Sequence, residues 1–335
     1  AASSDYPLRD VYKRQEQLAA SLKKKSNPNK SESYDYSTYY KYITPIIEKS
    51  DIRAANMETT FSPDNFSGYP SFTSPQSLLE ASVRGGFNLF FTANNHICDK
   101  GKNGLEYTIN LYDKLKLNYT GIGKKEDTLS GNNPLVMEIK GYKVAFLNYT
   151  YGTNGIQVPL QYRVNLLDST TIVKDVNRTK GLNPDIIIVS VHWGTEYIIS
   201  HSSRQEKWKN LFNKLGIKYI IGSHPHVPQE ITYKSDEKGF TTEYTVYSLG
   251  NCISNMTAPN TRIGMLVRLN FVRRDGEVKL LKPEMDYLWT ARPGEVEKNY
   301  TILPVSIFSE KPNLFKSKTV YNTMMNYYLS FSNDR

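Results

Sequence analysis

Four of the five histidines in this 335-residue chain come just after short apolar runs that predict β-strands. His96 and His192 each closely follow such a run, and His224 and His226 stand on either side of a proline after a third. In an α/β sheet the carboxyl ends of neighbouring strands meet at one edge, where ligands bind. We therefore expect these imidazoles to emerge together on one rim of a sheet.

Carboxylate and amide side chains accompany the histidines at the same strand ends. They are Glu58, Asn94, Asn95, Asp99 and Glu196. Imidazole, carboxylate and amide oxygen together form a ligand set suited to Zn²⁺, Mn²⁺, Fe or Ni²⁺. Neither of the two cysteines is placed as a ligand, which excludes a Cys₄ structural zinc site and favours a catalytic site that keeps one position open for water.

Each of these residues alone also has a simpler interpretation. His192 could be an ordinary core histidine, and Asn94 and Asn95 are common turn residues. Glu58 could be a charge at a helix N-terminus, and Asp99 could cap the helix that follows it. His201 has no accompanying motif, and we give it no role. All the simpler explanations would have to hold at once, so the combination favours one shared metal site.

Alternating strands and helices must position these side chains, a pattern typical of an α/β sheet with helices on its faces. Strands dominate after Val227, and Gly141 marks a hairpin turn. The predicted helices cover 40–51, 74–85, 104–117, 169–179 and 204–216. We expect one domain over 34–307, preceded by a non-native or disordered segment over 1–33 and followed by a helical tail over 308–335.

Composition limits the partners. The net charge of +9 is scattered along the chain, and its one dense basic stretch, 21–31, carries no nucleic-acid motif, so we expect no nucleic acid partner. Cys98 and Cys252 cannot define a disulfide framework. The sequence has no run of about 18 apolar residues and no visible export signal. The first fifteen residues differ in character from the rest, and we interpret them as foreign sequence in place of a native start.

The polar motifs, taken in order, resemble the CapA family of bacterial capsule and poly-γ-glutamate synthesis proteins. These motifs are N-M-E, A-N-N-H-x-x-D-x-G, H-W-G-x-E-Y, G-S-H-P-H-V-x-Q and Y-S-L-G-N. The family's fold is similar to that of calcineurin-like metallophosphoesterases. The resemblance implies an α/β fold built as a β-sandwich flanked by helices (αββα), and it covers roughly 33–304.

The resemblance also implies roles for single residues. Asn95 would bind metal through its amide oxygen, His192 and His224 would be ligands of a second metal, and His226 of a first. Glu58 would be the bridging carboxylate, a position where the superfamily usually has aspartate. For catalysis we expect His96 to face the leaving oxygen and Asp99 to hold His96. The expected substrate-binding residues are Asn94, Glu196 and Asn251.

One departure from the family concerns the first metal. Family members begin with a strand that ends in Gly-Asp, and that aspartate is a ligand. No aspartate before Glu58 follows an apolar strand in this chain: the four are Asp5, Asp10, Asp35 and Asp51. We therefore expect the first native strand to be lacking and the first metal site to be incomplete.

The expected function is hydrolysis of a phosphoester by a water activated on a dinuclear Mn, Fe or Zn centre. Two alternatives stay open. One is attack on amide or γ-glutamyl bonds, and the other is a non-catalytic component of a capsule synthesis or export complex that binds an anionic polymer. The expected partners are an anionic polymer or phosphoester substrate and membrane capsule-synthesis proteins. The expected location is the cell surface, membrane-anchored or secreted.

Overall fold

A computed structural model describes residues 13–125 and 133–332 of the chain. Its helices are α1 (Lys13–Ser21), α2 (Thr44–Ile47), α3 (Gln76–Arg84), α4 (Gly101–Lys114), α5 (Ser169–Gly181), α6 (Ser203–Lys214), α7 (Val305–Phe308) and α8 (Lys318–Ser332). Short 3₁₀ turns cover Ser31–Ser33 and Pro312–Leu314. None of the helices in the described ranges is both long and apolar enough to span a bilayer.

Strands make up most of the interior. They are β1 (Ala54–Asn56), β2 (Thr60–Phe61), β3 (Thr73–Ser74), β4 (Leu89–Phe91), β5 (Asn118–Thr120), β6 (Ile122–Lys124), β7 (Leu135–Ile139), β8 (Tyr142–Thr150), β9 (Tyr162–Val164), β10 (Ile186–His192), β11 (Tyr219–Ser223), β12 (Ile231–Ser235), β13 (Thr241–Val246), β14 (Ile263–Arg268), β15 (Phe271–Arg274), β16 (Glu277–Leu280), β17 (Glu284–Ala291) and β18 (Thr301–Pro304).

The largest sheet orders its strands β15-β16-β13-β11-β10-β8-β7, with β12 also paired to β13. Its centre, β8, β10, β11 and β13, is parallel. Side chains of β10 alternate between two cores: Ile186 packs in the interior of the domain, whereas Val189 packs under helices α5 and α6 with Ile172 and Phe212. The parallel register places the carboxyl ends of β8, β10 and β11 side by side, with His192 opposite Thr150 and Ser223.

Two smaller sheets form a second layer over the inner face. One is parallel, β1-β4-β5, and the other is antiparallel, β14-β17-β18. In β4, Leu89 and Phe91 face the interior core together with Met265 of β14, while Phe90 faces the core shared with α3 and α4. The layers therefore run helix, sheet, sheet, helix, and the chain has a mixed α/β fold.

A gap separates the two smaller sheets. Within the described ranges β1 is paired to β4 only. Because backbone groups alternate in direction along a strand, the N–H and C=O groups of Ala54 and Asn56 point away from β4 and form an open edge. A cavity of about 1030 Å³ opens beside this edge; Leu266 and Val267 of β14 line its other side, and Phe146 of the large sheet lines its base. The cavity thus lies between the open edge of β1 and strand β14.

The ends of the chain differ from our expectation. We predicted that 1–33 is non-native or disordered, but the part from residue 13 contains α1, and Asn299 donates to the Ser21 hydroxyl at 3.1 Å while Asp35 N–H donates to the Ser21 carbonyl at 2.7 Å. Residues 1–12 lie outside the described residues. In the tail, α8 covers Lys318–Ser332, and its Met324 is fully buried in the interior core, so this helix packs into the domain. Residues 333–335 also lie outside the described residues.

Two predicted helices are shorter than expected. Helix α3 begins at Gln76 rather than at Pro75, because Ser74 belongs to β3 and its hydroxyl pairs with that of Thr59. The segment 40–51 is helical only over α2, since Tyr40 and Ile43 are packed into the core through turns.

Candidate metal centre

The ends of four strands meet at one rim and bring most of the predicted ligands together. Glu58 follows β1, Asn95 follows β4, His192 ends β10, and His224 follows β11. Because β1 pairs with β4, and β10 with β11, each pair of strand ends lies side by side. The loop after β11 also brings in His226, so all five residues that we predicted as metal ligands lie in one cluster.

The distances within the cluster are short. The Nε2 atom of His192 lies 2.8 Å from Asn95 Oδ1 and 3.6 Å from Glu58 Oε1, and His226 Nε2 lies 3.8 Å from the same Glu58 oxygen. One ligand atom each from Glu58, His224 and His226 lie within 4.8 Å of one another. This spacing is small enough for one ion to contact all three side chains.

The donor atoms fit a divalent metal. Nδ1 of His224 is buried without a hydrogen-bond partner among the described residues, which is costly for a polar atom unless another group binds it. Imidazole nitrogen and carboxylate oxygen are ligands that Zn²⁺, Mn²⁺ and Fe accept. Glu58, His224 and His226 would hold such an ion, and His192 and Asn95 lie beside them.

Burial keeps the imidazoles neutral, as metal ligation requires. Complete burial holds the pKa of His192 well below its usual 6.5, and the neighbouring histidines add to the effect. Burial likewise lowers the pKa of His224 to about 3, again with help from His226 and His96. Both rings are therefore neutral near pH 7, and each has one unprotonated nitrogen.

The backbone at His224 and His226 is strained. Their φ angles are +101° and +61°, in the left-handed region that residues other than glycine rarely adopt. We expected an extended bend before Pro225, because a following proline favours extended backbone. The left-handed turn found instead directs both rings to the same rim, and such strain is typical of functional sites.

Hydrogen bonds orient two of the rings. Ser223 Oγ lies 3.1 Å from His192 Nδ1, and Asn251 Oδ1 lies 3.0 Å from His226 Nδ1. A proton on Nδ1 of His226 leaves Nε2 free toward Glu58. We predicted that Asn251 binds substrate, but its amide nitrogen donates to the carbonyls of His226 and Thr261. Asn251 therefore holds His226 in place rather than offering free groups to a substrate.

His96 and Asp99 form a pair beside the cluster. His96 Nδ1 lies 2.8 Å from Asp99 Oδ2, and the same oxygen accepts from Phe72 N–H at 2.6 Å. The Phe72 ring packs on the imidazole at 4.2 Å. Asp99 does not cap α4, whose N-terminal cap residue is Lys100 and has no side-chain bond. The carboxylate instead orients the ring of His96.

The other two predicted substrate residues differ from each other. Asn94 is fully buried; its amide nitrogen donates to the carbonyls of Met57 and Thr92, and its oxygen accepts from His96 N–H. It has no group left for a substrate and shapes the turn instead. Glu196 is half-buried and lines the cavity at the metal end, beside Tyr197, whose ring lies 6.1 Å from that of His226.

The structure adds two residues that we did not predict, on the loop after β8. The Tyr151 ring lies 4.6 Å from that of His224, and Asn154 Oδ1 accepts from Asn95 Nδ2 at 3.2 Å. Burial, followed by the charges of Glu196 and Glu58, raises the pKa of Tyr151 to about 12. Their signal in the sequence is the polar, glycine-flanked run Y-G-T-N-G, which follows an apolar strand just as the histidine motifs do.

His201 lies outside the cluster, as expected. Its ring stacks on Tyr247 at 4.0 Å, and its nitrogens lie 3.3 Å from Glu230 and 3.8 Å from Glu206. It therefore belongs to a separate surface network.

Sequence comparison gives relatives of known family. The model of the family described as bacterial capsule synthesis protein PGA_cap matches residues 9–256. The capsule biosynthesis protein CapA of Bacillus anthracis is 26% identical over 254 residues, which are 72% of this chain and 59% of that protein. The PGA biosynthesis protein CapA of Bacillus subtilis (strain 168) is 26% identical over 269 residues, 78% of this chain and 67% of that protein.

Solved structures with some similarity include a hypothetical protein from Thermus thermophilus, with a TM-score of 0.44 and 13% identity over 73% of this chain and 91% of that one. The calcineurin-like phosphoesterase YfkN from Bacillus subtilis gives a TM-score of 0.39 and 16% identity over 74% of this chain and 71% of that one. The chain spans 59% of the length of the Bacillus anthracis relative. Because the family model matches residues 9–256 of 335, the chain belongs to the bacterial capsule synthesis protein PGA_cap family.

Proposed function

We propose that this protein is a CapA-like component of capsule or poly-γ-glutamate synthesis that hydrolyses a phosphoester with a metal-activated water. The observation that carries the proposal is the convergence of Glu58, His192, His224 and His226 within one cluster, next to the paired His96 and Asp99. A bound divalent metal would lower the pKa of a coordinated water and supply a nucleophile near neutral pH. Glu58 and the histidines would hold the metal, which we expect to be Mn, Fe or Zn, and the centre would be dinuclear once its first site is complete.

His96 would protonate the leaving oxygen. In its protonated form, Nδ1–H of His96 donates to Asp99 Oδ2, and the proton on Nε2, which points away from the carboxylate, is the one that passes to the leaving oxygen. His96 also lines the cavity at the metal end, so Nε2 can reach a bound ester. A positioned acid of this kind contributes about 10²- to 10⁴-fold in rate. Glu196, at the same end of the cavity, is our proposed substrate contact.

The test uses two model esters, p-nitrophenyl phosphate and bis-p-nitrophenyl phosphate, with added Mn²⁺. We expect H192A to lose both bound Mn²⁺ and turnover, and H96A to keep Mn²⁺ but lose at least 10²-fold in turnover. H201A is the matched control, because His201 is a histidine outside the cluster. Turnover that survives in both H96A and H192A would refute the hydrolase proposal.

Two alternatives are separated by the same variants. Release of glutamate from a γ-glutamyl peptide, with no action on the phosphoesters, would assign the metal centre to amide bonds instead. The net charge of +9 favours the second alternative, a non-catalytic role in binding an anionic polymer. Poly-γ-glutamate binding that persists with chelator and in both variants would support it.

We also propose that one further strand completes the layer that holds β1 and β14, which makes the fold a full metallophosphoesterase-like sandwich. The open edge of β1, the cavity beside it and the apolar lining from Phe146 and Leu266 support this proposal. Hydrogen exchange tests it: the Ala54 and Asn56 amides should exchange fast in this chain and become protected when a strand is fused before β1.

The setting of the protein is a further part of the proposal. We propose that it acts at the cell surface together with membrane proteins of capsule synthesis, as family membership suggests. Fractionation of cells that carry the full-length protein, followed by cross-linking, should place it with the membrane or outside the cell. Recovery only from the cytoplasm would contradict this location.

A further inference from the structure

We propose that Asn154 is a positioning residue of the metal centre, which sets the orientation of the Asn95 amide and limits the movement of His96. The inference rests on the proposed metal binding and deepens it. Asn154 lies on the loop between β8 and β9, far in sequence from Asn95 and His96.

The first contact decides which end of the Asn95 amide faces the metal ligands. Asn95 Nδ2 donates to Asn154 Oδ1 at 3.2 Å, and Asn95 Oδ1 lies 2.8 Å from His192 Nε2. An amide has one oxygen end and one nitrogen end, so a hydrogen bond that holds the nitrogen leaves the oxygen directed at the cluster. If the amide were reversed, its two N–H groups would face the cation, and N–H groups cannot bind a cation.

The second contact reaches the neighbouring residue. Asn154 Nδ2 lies 3.4 Å from His96 Nδ1, the atom that also contacts Asp99 Oδ2 at 2.8 Å. A distance of 3.4 Å is too long for a strong hydrogen bond. The Asn154 amide therefore acts here mainly through steric contact, which keeps the His96 ring next to Asp99.

The loop is anchored to the same strand that carries His192. Tyr151 N–H donates to the His192 carbonyl at 3.0 Å, and the Tyr151 hydroxyl lies 3.4 Å from Asn154 Oδ1. A turn closed by Thr153 and Ile156, with N–H to carbonyl at 2.9 Å, fixes the position of Asn154 between them. These bonds tie the loop to the end of β10, so the Asn154 amide keeps its position relative to the cluster.

The backbone explains why asparagine suits this position. The φ angle of Asn154 is +52°, and asparagine tolerates the left-handed region better than most residues. Glycine at 154 would keep this backbone and remove both amide contacts. Aspartate would keep an oxygen for Asn95 Nδ2 and remove the Nδ2 group near His96.

The experiment measures Mn²⁺ affinity by titration calorimetry in native protein, N154G and N154D, with thermal melting of the metal-free proteins to check folding. We expect N154G to bind Mn²⁺ about 10- to 100-fold more weakly, the usual effect of losing a partner that orients a ligand. We expect N154D to stay within about 3-fold of native protein, because the acceptor for Asn95 remains. The control is N183G, since Asn183 has φ +51° but lies exposed away from the cluster.

Two results would overturn the inference. One is Mn²⁺ affinity of N154G within 2-fold of native protein, and the other is equal loss in N154G and N154D, which would show that the acceptor oxygen has no special role. If native protein binds Mn²⁺ but hydrolyses no ester, the proposed hydrolase fails while the Asn154 comparison still stands. If native protein binds no Mn²⁺, both proposals fail.

Discussion

Asn148 binds the backbone at the start of the turn after β4, which carries residues of the candidate metal centre. Replacing Asn148 tests whether these hydrogen bonds stabilise that turn. Asn148 lies on β8 and is fully buried. Its Oδ1 accepts from Thr92 N–H at 2.9 Å and from Ala93 N–H at 2.7 Å, and its Nδ2 donates to the Ser190 carbonyl at 3.2 Å. Asn94, Asn95 and His96 follow directly, so Asn148 fixes the start of the turn that presents them.

The cost of N148A follows from these three bonds. Thr92 N–H keeps a second acceptor, the Thr120 carbonyl at 3.0 Å, whereas Ala93 N–H has no other acceptor among the described residues. One orphaned buried donor costs about 1–3 kcal/mol, and each of the other two lost bonds about 0.5–1.5 kcal/mol. We therefore expect N148A to lower the free energy of unfolding by about 2–6 kcal/mol, a large part of the 5–15 kcal/mol typical of a domain.

Urea unfolding of metal-free protein measures this change, and the m-value should stay constant if only the native contacts are lost. The matched control is N118A, because Asn118 lies on β5 and makes a single side-chain bond, to the Asn88 carbonyl at 3.2 Å. We expect it to cost less than about 1.5 kcal/mol. An N148A variant within about 1 kcal/mol of native protein would refute the assignment of Asn148 as the support of this turn.

Three further predictions concern the same rim. G222A should lower stability by about 1–3 kcal/mol in thermal unfolding, because the added Cβ would lie 2.0 Å from the Tyr247 carbonyl oxygen and 2.6 Å from Trp193 Nε1; unchanged melting would contradict this packing. In metal-free protein, the contribution of His192 and His224 to stability should be constant above about pH 6.5 and should fall by up to about 1.4 kcal/mol per pH unit for each residue at lower pH, since the unfolded state takes up protons that the buried rings do not. Chemical denaturation at pH 7 and pH 5 measures the loss, and equal values would contradict it. Elemental analysis should find one tightly bound metal per chain, and two tight equivalents would contradict the predicted incomplete first site.

The rim was predictable because its signal is local in the sequence. A strand shows as an apolar run, and the residue after it must emerge at the end of the sheet, so His192 and His224 are visible from the sequence alone. The family resemblance, which the family model confirms, extended the same inference to Glu58 and Asn95.

The roles of neighbouring polar residues were not predictable in the same way. Asn94 and Asn95 are adjacent residues of the same type, so the sequence does not distinguish them. In the folded turn, Asn94 donates to the Met57 carbonyl, whereas Asn95 faces His192. Asn251 has polar groups that suit a substrate, and its use on His226 depends on a contact 25 residues apart. Asn154 depends on the loop conformation after β8, which no periodicity encodes.

The proposed further strand beside β1 would account both for the gap and for the expected defect in the first metal site. Glu58 follows β1 closely in the chain. Asn251 orients the ring of His226, and His226 Nε2 lies 3.8 Å from Glu58 Oε1. A strand that fills the gap parallel to β1 would end beside these two residues, because parallel neighbours end at the same edge. A carboxylate at its end would then complete the first site. A single added strand should therefore close the cavity and raise the tightly bound metal from one equivalent to two, whereas two unrelated defects would not be repaired together.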